Sequence, residues 1–381
     1  MSRPSRLCAS CLLLVLSVFL LPAQPAAAQD DDQPTIVKDS VQVTAWTVSS
    51  YKGNFGTWSW VPALKFRVNG PIPSGSQLYA EFGYAGAPKW VSFTCATGDT
   101  QKGHWWKTEC GGRDVEETGK STLYIGPVKF AIKMKNELNG TDMTLFSGTA
   151  KVAKTHSNSA GPKAANEWVY YVDHDWNLPI AYVYLVADDV YGMKYPTLGF
   201  SFWYRGEPHG APEPHVFHNG KEVGKMYYEG EEVGKASCGE DEVQNNTTHF
   251  TAENDRYNWT RVGCSFPSIK AWNDSDQSNE SMFGKMYLLK ENPGDYEIKF
   301  LHQGKLVRVT AFKVDADGKL VDNGIASANK LGTRRIVVPV QVLGDMDGAW
   351  NKTAWKTDAF YGNPLTGFSV PASGAPAAGQ K

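Results

Sequence analysis

The feature that most constrains this chain is a two-residue alternation of apolar and polar side chains, repeated in short segments along its length. The stretch VKFAIKMK, residues 128–135, has apolar side chains at every even position and mostly lysines between them. DYEIKF, residues 295–300, follows the same rule. Because successive side chains of an extended strand point to opposite faces, this spacing predicts half-buried β-strands.

Turn signals separate these segments, and no long segment carries a convincing helical period. Asn-Gly pairs at 69–70, 139–140 and 219–220 are typical of tight connections between antiparallel strands. Several other segments are rich in β-branched or aromatic residues, which favour strands. Short strands at this spacing predict an all-β fold built from antiparallel sandwiches.

A set of landmarks occurs twice in the same order. Each set has an aromatic strand, two cysteines with a tryptophan before the second, a glycine-anchored hairpin, Ala-Asn, Asp-x-Asp and Trp-Asn. We therefore expect two tandem antiparallel β-sandwich domains related by internal duplication. The alternative is two unrelated β domains, since alternation and turns alone would not distinguish a repeat.

The N-terminus has the pattern of an export signal. Arg3 and Arg6 precede a short apolar run from Leu12 to Leu21, and Ala26 and Ala28 form a small-x-small cleavage site. We expect a secreted, periplasmic or extracellular protein that is not an integral membrane protein; an uncleaved N-terminal anchor is the alternative. The predicted divisions are a signal peptide at 1–28, a flexible leader at 29–35, domains at 36–178 and 179–368, and a disordered tail at 369–381.

Charge argues against a nucleic-acid partner. Cleavage would remove two arginines and no acid, so lysine plus arginine falls from 38 to 36 against 40 acidic residues, a net charge of −4. Proteins that bind the phosphate backbone carry a basic patch, and none dominates here. The expected partner is a glycan or another protein.

Four cysteines remain after the predicted cleavage, and an even number in an exported chain indicates disulfides. The local pairing, Cys95 with Cys110 and Cys238 with Cys264, treats both halves alike and is the one we predict. A zinc site is the alternative, although no CxxC spacing is present.

Aromatic residues suggest a ligand. Exposed rings can stack on the faces of sugars, because a ring offers a large contact area at low conformational cost. Six tryptophans lie among glycine and polar residues, outside clear core alternation: Trp58, Trp60, Trp90, Trp105, Trp272 and Trp355. The alternative is that these rings fill the cores or the junction between domains.

Two groups of residues are candidate metal ligands, although no cofactor is required. Imidazole nitrogens suit zinc or copper, and a proline-rich stretch carries His209, His215 and His218. Carboxylate pairs suit calcium, and Asp-x-Asp occurs twice, as Asp173/Asp175 and Asp345/Asp347. An exposed proline-rich loop and ordinary turns explain the same residues without a metal.

No catalytic motif is present: GxSxG, HExxH, the P-loop and GxGxxG are all absent. We therefore expect a non-catalytic binding or surface-interaction protein, with carbohydrate as the first ligand to test. Two alternatives stay open. One is a hydrolase acting on a polysaccharide, with paired carboxylates such as Asp173 and Asp175. The other is a structural subunit that assembles through exposed sheet edges.

Overall fold

The computed structural model describes residues 34–52, 54–101, 105–112, 119–156, 167–186, 196–205, 212–226, 234–244, 259–271, 286–331, 335–344 and 347–370. The predicted signal peptide lies outside these residues, as do most of the predicted leader and tail. Strands dominate, and the one α-helix among the described residues is α1, Ile325–Ala328. The all-β prediction is confirmed.

The alternating segments are strands with one buried face, as their spacing predicts. In residues 128–135, Phe130 and Ile132 are buried whereas Lys129 and Lys135 are exposed. In residues 295–300, Ile298 is fully buried between two half-buried charged neighbours. Burial of alternate apolar side chains removes apolar area from water on one face, which is the main favourable contribution to sheet packing.

The first half of the chain forms two five-stranded sheets. Its strands in chain order are β1 Thr35–Ile36, β2 Gln42–Tyr51, β3 Asn54–Asn69, β4 Ser76–Tyr84, β5 Ala87–Thr94, β6 Ala96–Gln101, β7 Trp105–Gly111, β8 Gly126–Asn136, β9 Asp142–His156 and β10 Trp168–Val172. One sheet has the order β1-β3-β7-β6, with β2 also paired to β3, and the other has the order β10-β9-β8-β4-β5. Their inner faces share one apolar core.

Two links join these sheets at their sides. The Thr47 hydroxyl of β2 accepts a hydrogen bond from the backbone N–H of Tyr170 in β10, at 2.9 Å. Cys95 follows β5, at the point where the chain leaves one sheet for the other, and it forms a disulfide with Cys110 of β7. The two sheets therefore curl around their common core.

The second half forms one ten-stranded sheet. Its strands are β11 Ile180–Val186, β12 Thr197–Arg205, β13 Glu213–His218, β14 Lys221–Met226, β15 Gly234–Gln244, β16 Trp259–Lys270, β17 Tyr287–Leu288, β18 Gly294–His302, β19 Lys305–Val314 and β20 Arg335–Val342. The order is β12-β11-β20-β19-β18-β13-β14-β15-β16-β17, and β12 also pairs with β16. That additional pairing closes the sheet on itself.

The second disulfide lies within this closed sheet. Cys238 of β15 and Cys264 of β16 are directly opposite each other in the strand register, with Cα atoms 4.1 Å apart. Both bridges are the local ones that the sequence predicts. They differ in role, because the first joins two sheets and the second joins neighbouring strands of one sheet.

The C-terminal strap, residues 347–370, returns to the first half. Tyr361 is buried against Phe130, with ring centroids 5.2 Å apart, and its hydroxyl accepts a hydrogen bond from the backbone N–H of Val43 at 2.7 Å. A Cβ on Gly148 would lie 2.7 Å from the Tyr361 Cβ, so only glycine allows this close approach. Tyr361 has a φ of 61°, a left-handed conformation that is uncommon for a residue other than glycine.

The cores divide the chain differently from the sequence-based divisions. The predicted second domain spans residues 179–368, yet Phe360, Leu365 and Phe368 pack into the core of the first half. Neither the spacing of strands nor the turn signals shows this return of the chain, because the strap contains no regular strand. The domain boundaries stay a prediction.

Candidate functional site

Four aromatic rings cluster at one side of the first half, on three different strands and one connection. Trp60 of β3 contacts Trp90 of β5 edge to face, with ring centroids 5.0 Å apart. Trp90 also contacts Tyr84 of β4, at 5.4 Å. Tyr84 in turn stacks on Tyr124, at 4.3 Å and an interplanar angle of 14°. Such edge-to-face and stacked pairs stabilise by about 0.5–1.5 kcal/mol beyond their area burial.

The polar atoms of these rings hold the connection before β8 in place. The indole N–H of Trp60 donates to the Tyr124 carbonyl, and that of Trp90 donates to the Lys120 carbonyl, each at 2.8 Å. The Tyr84 hydroxyl and the Thr122 hydroxyl share a hydrogen bond of 3.0 Å. Because these polar atoms are engaged, the rings have fixed orientations and can offer their carbon surfaces to a ligand.

We call the partly exposed surface of this cluster the aromatic face, formed by Tyr84, Trp90 and Tyr124 together with Leu123 and Ile125, which flank Tyr124 in the chain. The three rings are half-buried, and Leu123 and Ile125 are 42% and 47% exposed. Large apolar side chains with this exposure are few among the described residues. Contiguous exposed apolar surface in a folded protein often marks a binding site.

The six predicted tryptophans have different environments. Trp60 is 1% exposed and belongs to the core, whereas Trp58, Trp90 and Trp355 are half-buried. Trp355 lies in the strap, where its ring contacts Phe368 at 5.3 Å. Trp105 lies in β7, and Trp272 lies outside the described residues. The structure therefore brings Trp60 and Trp90 together and leaves Trp355 elsewhere.

Sequence reasoning missed the two tyrosines of the aromatic face. Tyr84 ends a strand whose other apolar residues face the core, so its position suggests an ordinary core residue. Tyr124 lies in TLYIG, an apolar run directly before β8 that does not alternate. That run is the signal that could have indicated an exposed apolar surface.

A buried charge network lies where the two halves meet. Asp175 belongs to the 3-10 turn Asp175–Asn177 between β10 and β11, and its Oδ1 lies 3.4 Å from Nε of Arg205 at the end of β12. Asp347 accepts a hydrogen bond from the Arg205 backbone N–H and forms an ion pair with Arg308, which is fully buried. Asp175 Oδ2 accepts from the backbone N–H of Asn351 at 2.6 Å.

Burial changes the titration of two adjacent residues in this turn. Loss of hydration raises the pKa of Asp175 to about 6, and the negative charge of Asp173 acts in the same direction. Burial also lowers the pKa of His174 to about 3, so this imidazole is neutral at ordinary pH. His174 packs edge to face against Trp259, with ring centroids 5.6 Å apart.

The candidate metal ligands do not converge. Among the described residues, no three His, Cys, Asp or Glu side chains form a group that could hold a metal ion. Asp175 and Asp347 instead bind arginines, and a guanidinium competes with a cation for the same oxygens, so we assign both to the charge network. His209 and Asp345 lie outside the described residues.

The two described histidines of the proline-rich stretch have protein partners. His215 Nδ1 lies 2.5 Å from a Glu222 carboxylate oxygen, and His218 Nδ1 lies 2.6 Å from the Tyr287 hydroxyl. His218 also stacks on Tyr296, at 4.5 Å. These contacts give both imidazoles a structural role in the closed sheet.

The carboxylate pair suggested for a hydrolase is poorly placed for that chemistry. Asp175 is 4% exposed, and the backbone N–H of Asp175 donates to Asp173 Oδ1 at 2.9 Å. A glycosidase needs two carboxyl groups that face each other across an accessible cleft, about 5–10 Å apart. Asp173 and Asp175 lie side by side in one turn.

Comparisons with known proteins leave the site to be interpreted on its own geometry: the chain matches no protein-family model, and no curated protein shows a significant match to it. Within the described part of the chain, no helix combines the length and apolar character needed to cross a membrane.

Proposed function

We propose that this protein is an exported, non-catalytic binding protein whose ligand is a carbohydrate. The observation that carries the proposal is the aromatic face, where Tyr84, Trp90 and Tyr124 are held rigidly and remain partly exposed. Rigid rings suit sugars, because the C–H faces of a pyranose stack on aromatic carbon without ordering flexible side chains. Two disulfides support export to an oxidising compartment.

A glycan-array screen of the chain without its predicted signal peptide, residues 29–381, tests this function. Binding that Trp90→Ala removes, and that Trp355→Ala preserves, would support the aromatic face. Trp355 is the matched control, because it is also half-buried but lies in the strap. No binding to any glycan, or equal loss in both variants, would refute the proposal, and a parallel screen with chelator tests for calcium.

The assembly alternative has less support from the strand pairing of the second half. Exposed sheet edges invite pairing with another chain. In the second half, β12 pairs on both sides and closes the sheet, so only the short β17 ends it among the described strands. Analytical ultracentrifugation would distinguish the two functions, since an assembly subunit should self-associate without any glycan.

We also propose that the two halves arose from one duplicated β-sandwich unit. Three matching pairings support this origin. The aromatic strand pairs with the strand of the second cysteine, as β3–β7 and β12–β16, and that strand pairs with its predecessor, as β6–β7 and β15–β16. Later in each half three consecutive strands form an antiparallel meander, β8-β9-β10 directly after β7 and β18-β19-β20 after the short β17. Superposition of the meanders in a crystal structure tests it, because a register that does not match would contradict duplication.

A further inference from the structure

The charge network at the junction of the two halves also anchors the first residues of the C-terminal strap. The strap contributes Asp347, whose carboxylate binds Arg205 and Arg308, and Ala349, whose carbonyl accepts from the Arg205 side chain. It also contributes the Asn351 backbone N–H, which donates to Asp175. We call this set of contacts the clasp.

The charges within the clasp are unequally satisfied. Asp347 accepts a hydrogen bond from the Arg205 backbone N–H and forms an ion pair with the Arg308 guanidinium, which is itself fully buried. Asp175 has one arginine at 3.4 Å, and its Oδ1 makes no hydrogen bond within the described residues. The charged groups that act on Asp175 are Asp173, Arg205 and Asp347, while its neighbour His174 is neutral.

We propose that Asp175 carries a proton when the clasp is tightest, so that the strap is held firmly in mildly acidic solution and more loosely at neutral pH. Burying a carboxylate without full hydrogen bonding costs much more than burying a neutral carboxyl group at the same place. When the strap lifts, water reaches Asp175 and stabilises its charge. Ionisation therefore favours the open form.

The direction and size of the pH effect follow from the difference in the pKa of Asp175 between the closed and the open clasp. The pKa of Asp175 is about 6 in the closed clasp, against an ordinary value of 3.8. The closed form therefore binds a proton more tightly than the open form, and lowering the pH from 7 towards 4 stabilises it. A difference of about two pKa units corresponds to a change of about 100-fold in the opening equilibrium.

Amide hydrogen exchange on the intact protein tests the proposal at named positions. The Asn351 N–H binds Asp175, and the Thr149 N–H binds the Tyr361 carbonyl of the strap at 2.7 Å. After correction for intrinsic exchange, opening at both amides should increase by about 10- to 100-fold between pH 4.5 and pH 7. Asp175→Asn should remove this dependence, because asparagine keeps an acceptor oxygen and does not titrate.

Asp358→Asn is the matched control, since it removes an exposed ion pair of the same strap, with Lys151 at 2.6 Å, and should leave the pH dependence intact. Exchange that is independent of pH in the unmodified protein, or a dependence that survives in Asp175→Asn, would overturn the clasp. If Asp175→Asn does not fold, carbon NMR titration of Asp175 in the unmodified protein decides: a midpoint below pH 4.5 would refute the proposal.

Discussion

The two halves of this molecule differ in how completely each encloses its own core. The second half closes its sheet, and its main core is built from residues between Ala181 and Val340. The first half consists of two separate five-stranded sheets, and its core includes Tyr182, Val337 and the strap residues Phe360 and Tyr361. The closed sheet therefore encloses its main core with its own strands, whereas the core of the first half also uses residues of β11, β20 and the strap.

The largest expected effect comes from a substitution in the strap that should destabilise the first half more than the second. Tyr361→Ala removes a buried ring that contacts Phe130, Trp176 and His174. We expect it to lower the free energy of unfolding of the first half by about 3–5 kcal/mol, the usual cost of an aromatic-to-alanine change in a core. Hydrogen exchange resolved by residue during urea denaturation would measure the loss in each half separately.

The control for this prediction is a ring of the second core. Phe300 is fully buried against Phe202, at 4.4 Å. Phe300→Ala should lower protection in both halves, because strands of the closed sheet also supply Tyr182 and Val337 to the first core. If Tyr361→Ala lowers protection equally in both halves, the molecule unfolds as one unit and the asymmetry is wrong.

Removing either disulfide should have the next largest effect on the free energy of unfolding. The sequence separations are 15 and 26 residues. The chain-entropy model gives about 3 kcal/mol for the Cys95–Cys110 bridge and about 3.5 kcal/mol for Cys238–Cys264. Replacing each pair by alanine and measuring urea denaturation should give losses of this size, with the larger loss in the second half.

A larger loss from the first bridge would show that chain entropy is not the main contribution there. The Cys95–Cys110 bridge joins two sheets, whereas strand pairing already holds Cys238 opposite Cys264. Measuring each variant under reducing and oxidising conditions controls for the substitutions themselves, since each variant should respond to the reductant only through the bridge that remains.

The turn between the halves should make the protein sensitive to acid through His174. Its pKa is about 3 when folded, against an ordinary value of 6.5, so the unfolded chain binds a proton that the folded protein does not. Stability is therefore lost as the pH falls below 6.5, by about 1.5 kcal/mol between pH 6.5 and pH 5. Denaturant titrations of His174→Gln at both pH values should show that this loss disappears.

Asp175 acts in the opposite direction over part of this range, because its pKa is raised. The His174 effect is therefore best measured in an Asp175→Asn background, where only the imidazole titrates. An equal loss of stability in the double variant and in Asp175→Asn alone would assign the acid sensitivity to other groups.

The fold class and the bridges could be predicted because they depend on local pattern. Alternation at 128–135 fixes a buried face, and both cysteine pairs are close in sequence. Closure of the second sheet depends on the β12–β16 pairing, which joins segments about 60 residues apart, and no local pattern records it. The strap was missed because an irregular segment has no period.

The candidate site could be predicted only in part. Trp90 is half-buried, but tryptophan content alone does not separate it from Trp60, which is buried in the other sheet of the first half. Asp175 and Asp347 do lie at the junction, yet their partners Arg205 and Arg308 are distant in sequence. Spacing can suggest a calcium site, whereas only the folded arrangement shows guanidinium groups beside the carboxylates.

The smallest expected effect concerns the exposed anchor of the strap, Lys151 with Asp358. The Lys151 side chain is 50% exposed, so water and salt screen this pair, although Nζ and Oδ2 are only 2.6 Å apart. A double-mutant cycle with alanine should give a coupling of about 0.2–1 kcal/mol that decreases in high salt. If this coupling approached the loss in Tyr361→Ala, surface charge would hold the strap in place. A small coupling would indicate that apolar contacts with the core of the first half hold the strap in place. The main core of the closed second half contains no strap residue.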